Sequence, residues 1–173
     1  SLNVVDVVET YKSYIWTTRY FSAGDFELYI PATTKMISML KKDYYVIRED
    51  DPTQAMIIQN IQITTNIDEG NFLIVTGPSL KSILSRRIIW QQTTLSGYAE
   101  QCIRRLVNEN CISPAIADRK INNMILGAEL GITDKMSAQF TGDNLEEAIQ
   151  GICKTLGIGY DVITAVGGAQ ILG

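Results

Sequence analysis

The stretch from Arg86 to Cys111, RRIIWQQTTLSGYAEQCIRRLVNENC, marks where the pattern of the chain changes, and this limits what it can fold into. Before it, apolar residues recur mostly at strand spacing; after it, helix and strand periods alternate. The stretch itself reads as a short apolar strand, Ile88 to Trp90, a polar hinge, Gln91 to Ser96, and a helix. Ser96 or Gly97 can cap that helix, and Glu100 falls in its first turn, where a carboxylate suits the helix dipole. Ala99, Ile103, Leu106 and Val107 form one apolar stripe, with Arg104, Arg105, Asn108 and Glu109 on the other side. Glu100 and Arg104 make a favourable i,i+4 pair. Strand alternation then predicts a buried Trp90 where two halves of the chain meet, with Ile89 pointing the opposite way. None of this is catalytic chemistry. It describes a soluble α+β chain built to contact other proteins.

The totals narrow the function further. The 173 residues allow one medium domain or two small ones, and 46% hydrophobic residues are enough for a core. The formal net charge is −4, which argues against nucleic-acid binding through a general basic surface. Neither half hides a basic domain: residues 1–85 carry seven Lys/Arg against ten Asp/Glu, and residues 86–173 carry eight against nine. The chain has no histidine, which removes Ser-His-Asp and Cys-His catalysis, histidine ligation of zinc and the usual neutral-pH proton shuttle. Cys102, Cys111 and Cys153 are odd in number and form no CxxC, so they read as reduced packing residues. Three cysteines without histidine cannot supply the four ligands of structural zinc. No apolar run approaches the ~20 residues of a membrane span, and no signal-peptide pattern is visible.

In chain order, Asn3 to Val8 and Ser13 to Arg19 read as strands. Phe26, Leu28 and Ile30 alternate with Glu27 and Tyr29, a half-buried strand that Pro31 ends. Thr33 or Thr34 can cap a short helix through Leu40, with Met36, Ile37 and Leu40 on one face. Tyr44 to Arg48 resumes the sheet, and Glu49-Asp50-Asp51-Pro52 is an acidic turn rather than a metal site. Ala55 to Thr65 reads as one long strand, Asp68-Glu69-Gly70-Asn71 as a hairpin turn, and Phe72 to Val75 as a strand covered on both faces. About six strands and one helix before Gly77 suit a small antiparallel sandwich or barrel. Gly77 to Ser82, GPSLKS, lacks the GxxxxGK[ST] spacing of a phosphate loop and reads as a turn into a short helix. Further on, Ile121 to Leu126 is a strand and Gly127 to Asp134 a glycine-punctuated loop. Met136, Ala138 and Phe140 mark a half-buried strand. Asp143-Asn144-Leu145-Glu146 begins a helix whose stripe is Leu145, Ala148, Ile149, Ile152, Cys153 and Leu156, with Gly157 as C-cap. Ile158, Tyr160 and Val162 make a last strand, and AVGGAQILG shows no clear pattern. The expected organisation is a β domain over residues 1–85 and a smaller α/β domain with two amphipathic helices over residues 86–173.

No set of residues points to catalysis, a metal or a cofactor. Glu146 and Glu147 are adjacent on a helix and point about 100° apart, so they cannot face one substrate together. Arg86, Arg87 and Trp90 are the candidate interface residues, because Trp and Arg are favoured anchors of protein–protein contacts. The competing reading places them at a strand flank with salt bridges and a partly buried indole.

Three stretches carry a family resemblance: RYFSAGDFELYIPAT; IIQNIQITTNIDEGNFLIVTGPSLKSILSRRIIWQQTTLSG; and TGDNLEEAIQGICKTLGIGYDV. Together they resemble the N-terminal half of siphophage tail-tip proteins, the baseplate-hub or tail-associated proteins of phages and prophages of Gram-positive bacteria. The resemblance covers roughly residues 3 to 163. It implies a virion structural role at the tail tip, with the tail tube and the distal tail protein as partners. It also implies a tail-tube-like β domain before residue 86, a homotrimer in the full-length hub, and no catalytic residue or cofactor in this half. Members are about twice this length, so the chain by itself is expected to be a monomer or a weak oligomer. The alternatives from other classes are a cell-wall hydrolase and a receptor- or carbohydrate-binding module using Trp16, Trp90 and the tyrosines.

Overall fold

The computed structural model describes residues 5–68, 70–165 and 168–172. Contacts divide them into two compact units: residues 5–19 with 23–80, and residues 20–22 with 81 onward.

The first unit is built on β1 (Ser13–Thr17), β2 (Asp25–Pro31), α1 (Thr34–Met39), β3 (Tyr45–Ile47), β4 (Ala55–Ile57), β5 (Asn60–Asn66) and β6 (Gly70–Pro78). Its main sheet is antiparallel throughout, in the order β1-β2-β6-β5. The alternation in β2 works as expected: Phe26, Leu28 and Ile30 are buried, against Leu73 and Val75 of β6 and against Met56, Ile58 and Leu40. β6 lies between two neighbours, and Phe72 and Leu73 are both buried in it. Thr33 caps α1 by accepting from the Met36 amide at 3.2 Å. Met36, Met39 and Leu40 then face the core, whereas Ile37, expected on that face, is 49% exposed. The acidic turn is held locally: Arg48 pairs with Asp50, and the Thr53 hydroxyl donates to Asp51 at 2.6 Å.

Two further expectations for this unit need correction. Val5 to Val8 form no strand, although Val8 packs partly against the core; Asn3 and Val4 of that predicted strand lie outside the described residues. The predicted long strand from Ala55 to Thr65 is broken. β4 pairs with β3 in a two-stranded sheet of its own, and β5 starts afresh at Asn60. The break coincides with a change of pattern, since Ala55, Met56, Ile57 and Ile58 are all buried while strict alternation begins only after them. At the crossing, the Ile57 carbonyl oxygen sits against Gly77, where any Cβ would overlap it. Ile61 and Ile63 alternate with polar residues but are 39% and 59% exposed, on a strand that is the edge of its sheet. The hairpin turn forms between β5 and β6, with Gly70 at φ 88°; Glu69 lies outside the described residues.

The second unit begins within a 3₁₀ helix, Leu80–Arg86, which is the short helix predicted from Leu80. It continues with β7 (Thr93–Tyr98), α2 (Ala99–Val107), β8 (Met124–Leu126), β9 (Lys135–Phe140), α3 (Leu145–Leu156), β10 (Asp161–Ala165) and β11 (Gly168–Leu172). The stretch read as a polar hinge is in fact β7, antiparallel to β9 with Leu95 opposite Ala138. Tyr98, not Ser96 or Gly97, takes the N-cap position of α2, and it caps without a side-chain hydrogen bond. The helix buries Ala99, Cys102, Leu106 and Val107, then runs on through a π-helical turn, Asn108–Ile112. α3 matches its sequence signals closely. Asn144 accepts from the amides of Glu146 and Glu147, Gly157 closes the helix at φ 70°, and Leu145, Ala148, Ile149, Ile152 and Cys153 are buried. The strand at Ile121–Leu126 shrinks to β8, which pairs in parallel with β11; β11 in turn pairs antiparallel with β10. β11 falls in the patternless tail, of which residues 166, 167 and 173 lie outside the described ones. Among the described residues the chain is thus a mixed α and β protein with several antiparallel sheets and few helices.

Candidate interaction surface

The segment after the 3₁₀ turn is held to the loop preceding α3. The Ile89 amide donates to the Asp143 carbonyl and the Gly142 amide to the Ile89 carbonyl, both at 2.8 Å; the Leu145 amide donates to the Arg87 carbonyl at 3.0 Å. This is an isolated bridge, Ile88 to Asn144, and not a strand of a sheet. Its pattern keeps the alternation of an extended chain but with the parity opposite to that predicted: Ile89 is fully buried and Trp90 is 57% exposed. The buried-indole reading of Trp90 is therefore corrected. An apolar run of three carries two possible inward faces, and only the partner loop selects one.

Around Trp90 the structure assembles a cleft of about 280 Å³. Its floor is set by Asn110, a buried amide whose Nδ2 donates to the Leu106 carbonyl at 2.9 Å and whose Oδ1 accepts from the Trp90 amide at 3.3 Å. One wall is the 3₁₀ turn Ala117–Arg119. There the Arg119 guanidinium lies 5.5 Å from the centre of the Trp90 ring and donates to the Ile88 carbonyl. Arg87, which does not line the cleft, supports Arg119, its Nε donating to the Arg119 carbonyl at 2.7 Å. The opposite wall carries Arg105 paired with Glu109 at 2.7 Å. Burial pushes the nearby Cys111 thiol up to about 11, against the pull of Arg87 and Arg119.

Of the three residues singled out from sequence, only Trp90 lines the cleft; Arg87 is tied to Arg119 behind it, and Arg86 is exposed at the end of the 3₁₀ turn. Arg119, Asn110 and Ile116 went unnoticed in the sequence. They sit 20 to 29 positions from Trp90, Asn110 at the end of the stretch read as a helix and Ile116 and Arg119 in a loop, Ile112 to Lys120, that follows it. Trp16 does not join them: it packs against the core of the first unit, beside Phe26. Of the two glutamates weighed for catalysis, Glu146 is buried and accepts from Gln150 at 3.0 Å, while Glu147 is exposed.

Two charged side chains of this unit, Glu100 and Lys81, are buried away from the cleft. Glu100 accepts from the Leu130 amide at 2.7 Å and the Ile132 amide at 3.0 Å, so α2 holds the glycine loop. Burial raises its pKa, but the amides of Leu130, Ile132 and Gly131, with Arg104, outweigh this and hold the carboxyl below its ordinary value. Lys81 places its ammonium 5.0 Å from the Tyr160 ring centre and donates to the Tyr20 carbonyl at 3.3 Å; burial holds its pKa down.

Comparison with known proteins identifies the family. The family described as Siphovirus ReqiPepy6 Gp37-like protein matches residues 1–172. The chain belongs to that family. No curated protein matches it in sequence. Among solved structures, this Gp37-like chain is similar to the prophage tail protein gp18 of Listeria monocytogenes, with TM-score 0.61 and 12% identity over 96% of this chain. It is also similar to a tail protein of Neisseria meningitidis, with TM-score 0.57 and 15% identity over 94% of this chain. A third likeness is to the Escherichia coli protein c3393, at TM-score 0.53 and 9% identity over 91% of this chain. That protein is a component of the type VI secretion system with structural similarity to the T4 bacteriophage tail proteins gp27 and gp5. The Gp37-like chain spans less than half of each of these, 45%, 46% and 44%. It is a siphophage-family chain with the fold of phage tail proteins, and the resemblance drawn from its three stretches holds. Among its described residues no helix is long and apolar enough to cross a membrane.

Proposed function

We propose that this chain is a structural component of the tail tip, part of the baseplate hub at the distal end of a siphophage or prophage tail, and that it acts through protein–protein contacts and not as an enzyme. In this reading it resides in the virion, contacts the tail tube and the distal tail protein, and belongs to a hub that is trimeric at full length. Residues 1–85 form the tail-tube-like domain and residues 86–173 an α/β domain; Arg86, Arg87 and Trp90 are contact residues toward a neighbouring tail protein. The observation that carries the reading is the family match over residues 1–172. The likeness in fold to tail proteins about twice as long supports it. The test is to label virions carrying the full-length protein with antibodies raised against this chain and view them by electron microscopy. Label confined to the distal end of the tail is expected. Label on the capsid or along the shaft, or none on intact virions, would refute the placement. Hydrolysis of peptidoglycan by the purified chain, abolished by Glu146→Gln or Glu147→Gln, would refute the non-enzymatic role.

A further inference from the structure

The cleft on which Trp90 opens holds more positive charge than its carboxylates neutralise, on a chain whose net charge is −4. Arg105 is paired with Glu109. Arg119 is in no ion pair among the described residues; its guanidinium donates to the Ile88 carbonyl. A guanidinium has five N–H donors, so Arg119 keeps donors that this carbonyl does not take. The same cleft presents apolar surface, with Trp90 57% and Ile116 43% exposed. Its parts are already held in place. Asn110 fixes the backbone at Trp90, and the bonds to Ile88 and Arg87 fix Arg119, so little ordering entropy is left to lose on binding.

We propose that this cleft docks an acidic, extended segment of a partner tail protein. A carboxylate of that segment pairs with Arg119, and an apolar side chain beside it covers Trp90 and Ile116. The proposal rests on the reading of the chain as a tail component that works through protein contacts. Two observations favour a peptide over other anions. A guanidinium fork matches a carboxylate in two parallel hydrogen bonds, and Trp and Arg are among the residues enriched at the energetic centres of protein interfaces. An inorganic anion would leave the apolar half of the cleft wet.

The test uses fluorescein-labelled peptides of alternating Glu and Leu, with alternating Lys and Leu as the control. Their anisotropy is followed during titration with the 173-residue chain. The acidic peptide is expected to bind, more weakly as salt rises. Arg119→Glu is expected to weaken it at least about tenfold and to gain binding of the lysine peptide. Trp90→Ala, at an exposed position, is expected to weaken it while the circular dichroism stays that of the parent; it decides the question alone should Arg119→Glu fail to fold. An excess of inorganic phosphate is expected not to displace the peptide. The proposal is overturned if the acidic peptide does not bind the parent, if parent and variants bind it equally, or if phosphate displaces it, which would make the cleft a small-anion site. These results are separate from the placement in the virion. Binding by a protein that labels elsewhere than the tail tip would keep the cleft and lose the hub, and label at the tip without binding would do the reverse.

Discussion

Replacing Glu100 with glutamine alters one terminal group, and the structure gives the consequence a size. Two loop amides, those of Leu130 and Ile132, donate to the two carboxylate oxygens at 2.7 and 3.0 Å. The side chain is 5% exposed, and Arg104, 17% exposed, stands 4.0 Å away. Hydrogen bonds to a charged group contribute about 1.5–3 kcal/mol each, and neutral ones about 1. Glutamine keeps one acceptor oxygen, so one amide bond survives in neutral form. The other amide then faces an NH₂ group, which can only donate. The expected loss is about 2–4 kcal/mol, a large part of the 5–15 kcal/mol typical of a folded domain. Urea unfolding measures it, and hydrogen exchange at Leu130 and Ile132 shows whether it arises in the loop. The pH dependence follows from the lowered pKa. A carboxyl held below its ordinary 4.5 stabilises the fold above that value and loses the contribution as pH falls through its folded pKa. The gap between parent and Glu100→Gln should therefore be full at pH 7 and close progressively below about pH 4.5. A variant as stable as the parent at pH 7, with amide protection at Leu130 and Ile132 unchanged, would refute the clamp.

Other expectations are more local. Gly77→Ala should destabilise by about 1–3 kcal/mol or more, because its Cβ would overlap the Ile57 carbonyl and backbone must move to admit it; thermal unfolding measures this, and an unchanged transition would count against the crossing of β4 and β6. Cys153 is fully buried and burial pushes its thiol up to about 11, so a bulky thiol reagent at pH 8 should label it only as fast as the chain unfolds, and fast labelling of the native protein would contradict its place in the α3 stripe. Trp90→Ala should change stability by less than about 1 kcal/mol, not the 3–5 kcal/mol of a fully buried ring; a large loss in denaturant unfolding would mean that the ring is covered after all.

What could be read from the sequence here is what depends on near neighbours along the chain. The α3 stripe, its Asn144 cap and its Gly157 stop are patterns of three or four residues, and each element found in the structure carries out what those patterns require. The same holds for β2, where inward residues repeat at every second position, and for the turn between β5 and β6. The tail-protein family was legible because long runs of such local pattern recur together. Tertiary structure decided the rest, wherever local rules left two answers of similar energy. Ile88 to Trp90 is apolar at every position, so alternation alone cannot say which side chain faces in; hydrogen bonds to the 142–145 loop, more than 50 residues away, turn Ile89 inward and leave Trp90 outside. β11 exists as a strand through pairing with β8 and β10, and no period in AVGGAQILG announces it. Glu100 satisfies the rule for a solvated first-turn carboxylate and yet is buried, because loop amides 30 residues on take the place of water. Arg119 meets Trp90 only because the chain folds back between them. Local patterns fix which residues are available for contact, whereas non-local hydrogen bonds, which form only once the fold has closed, select the contact made.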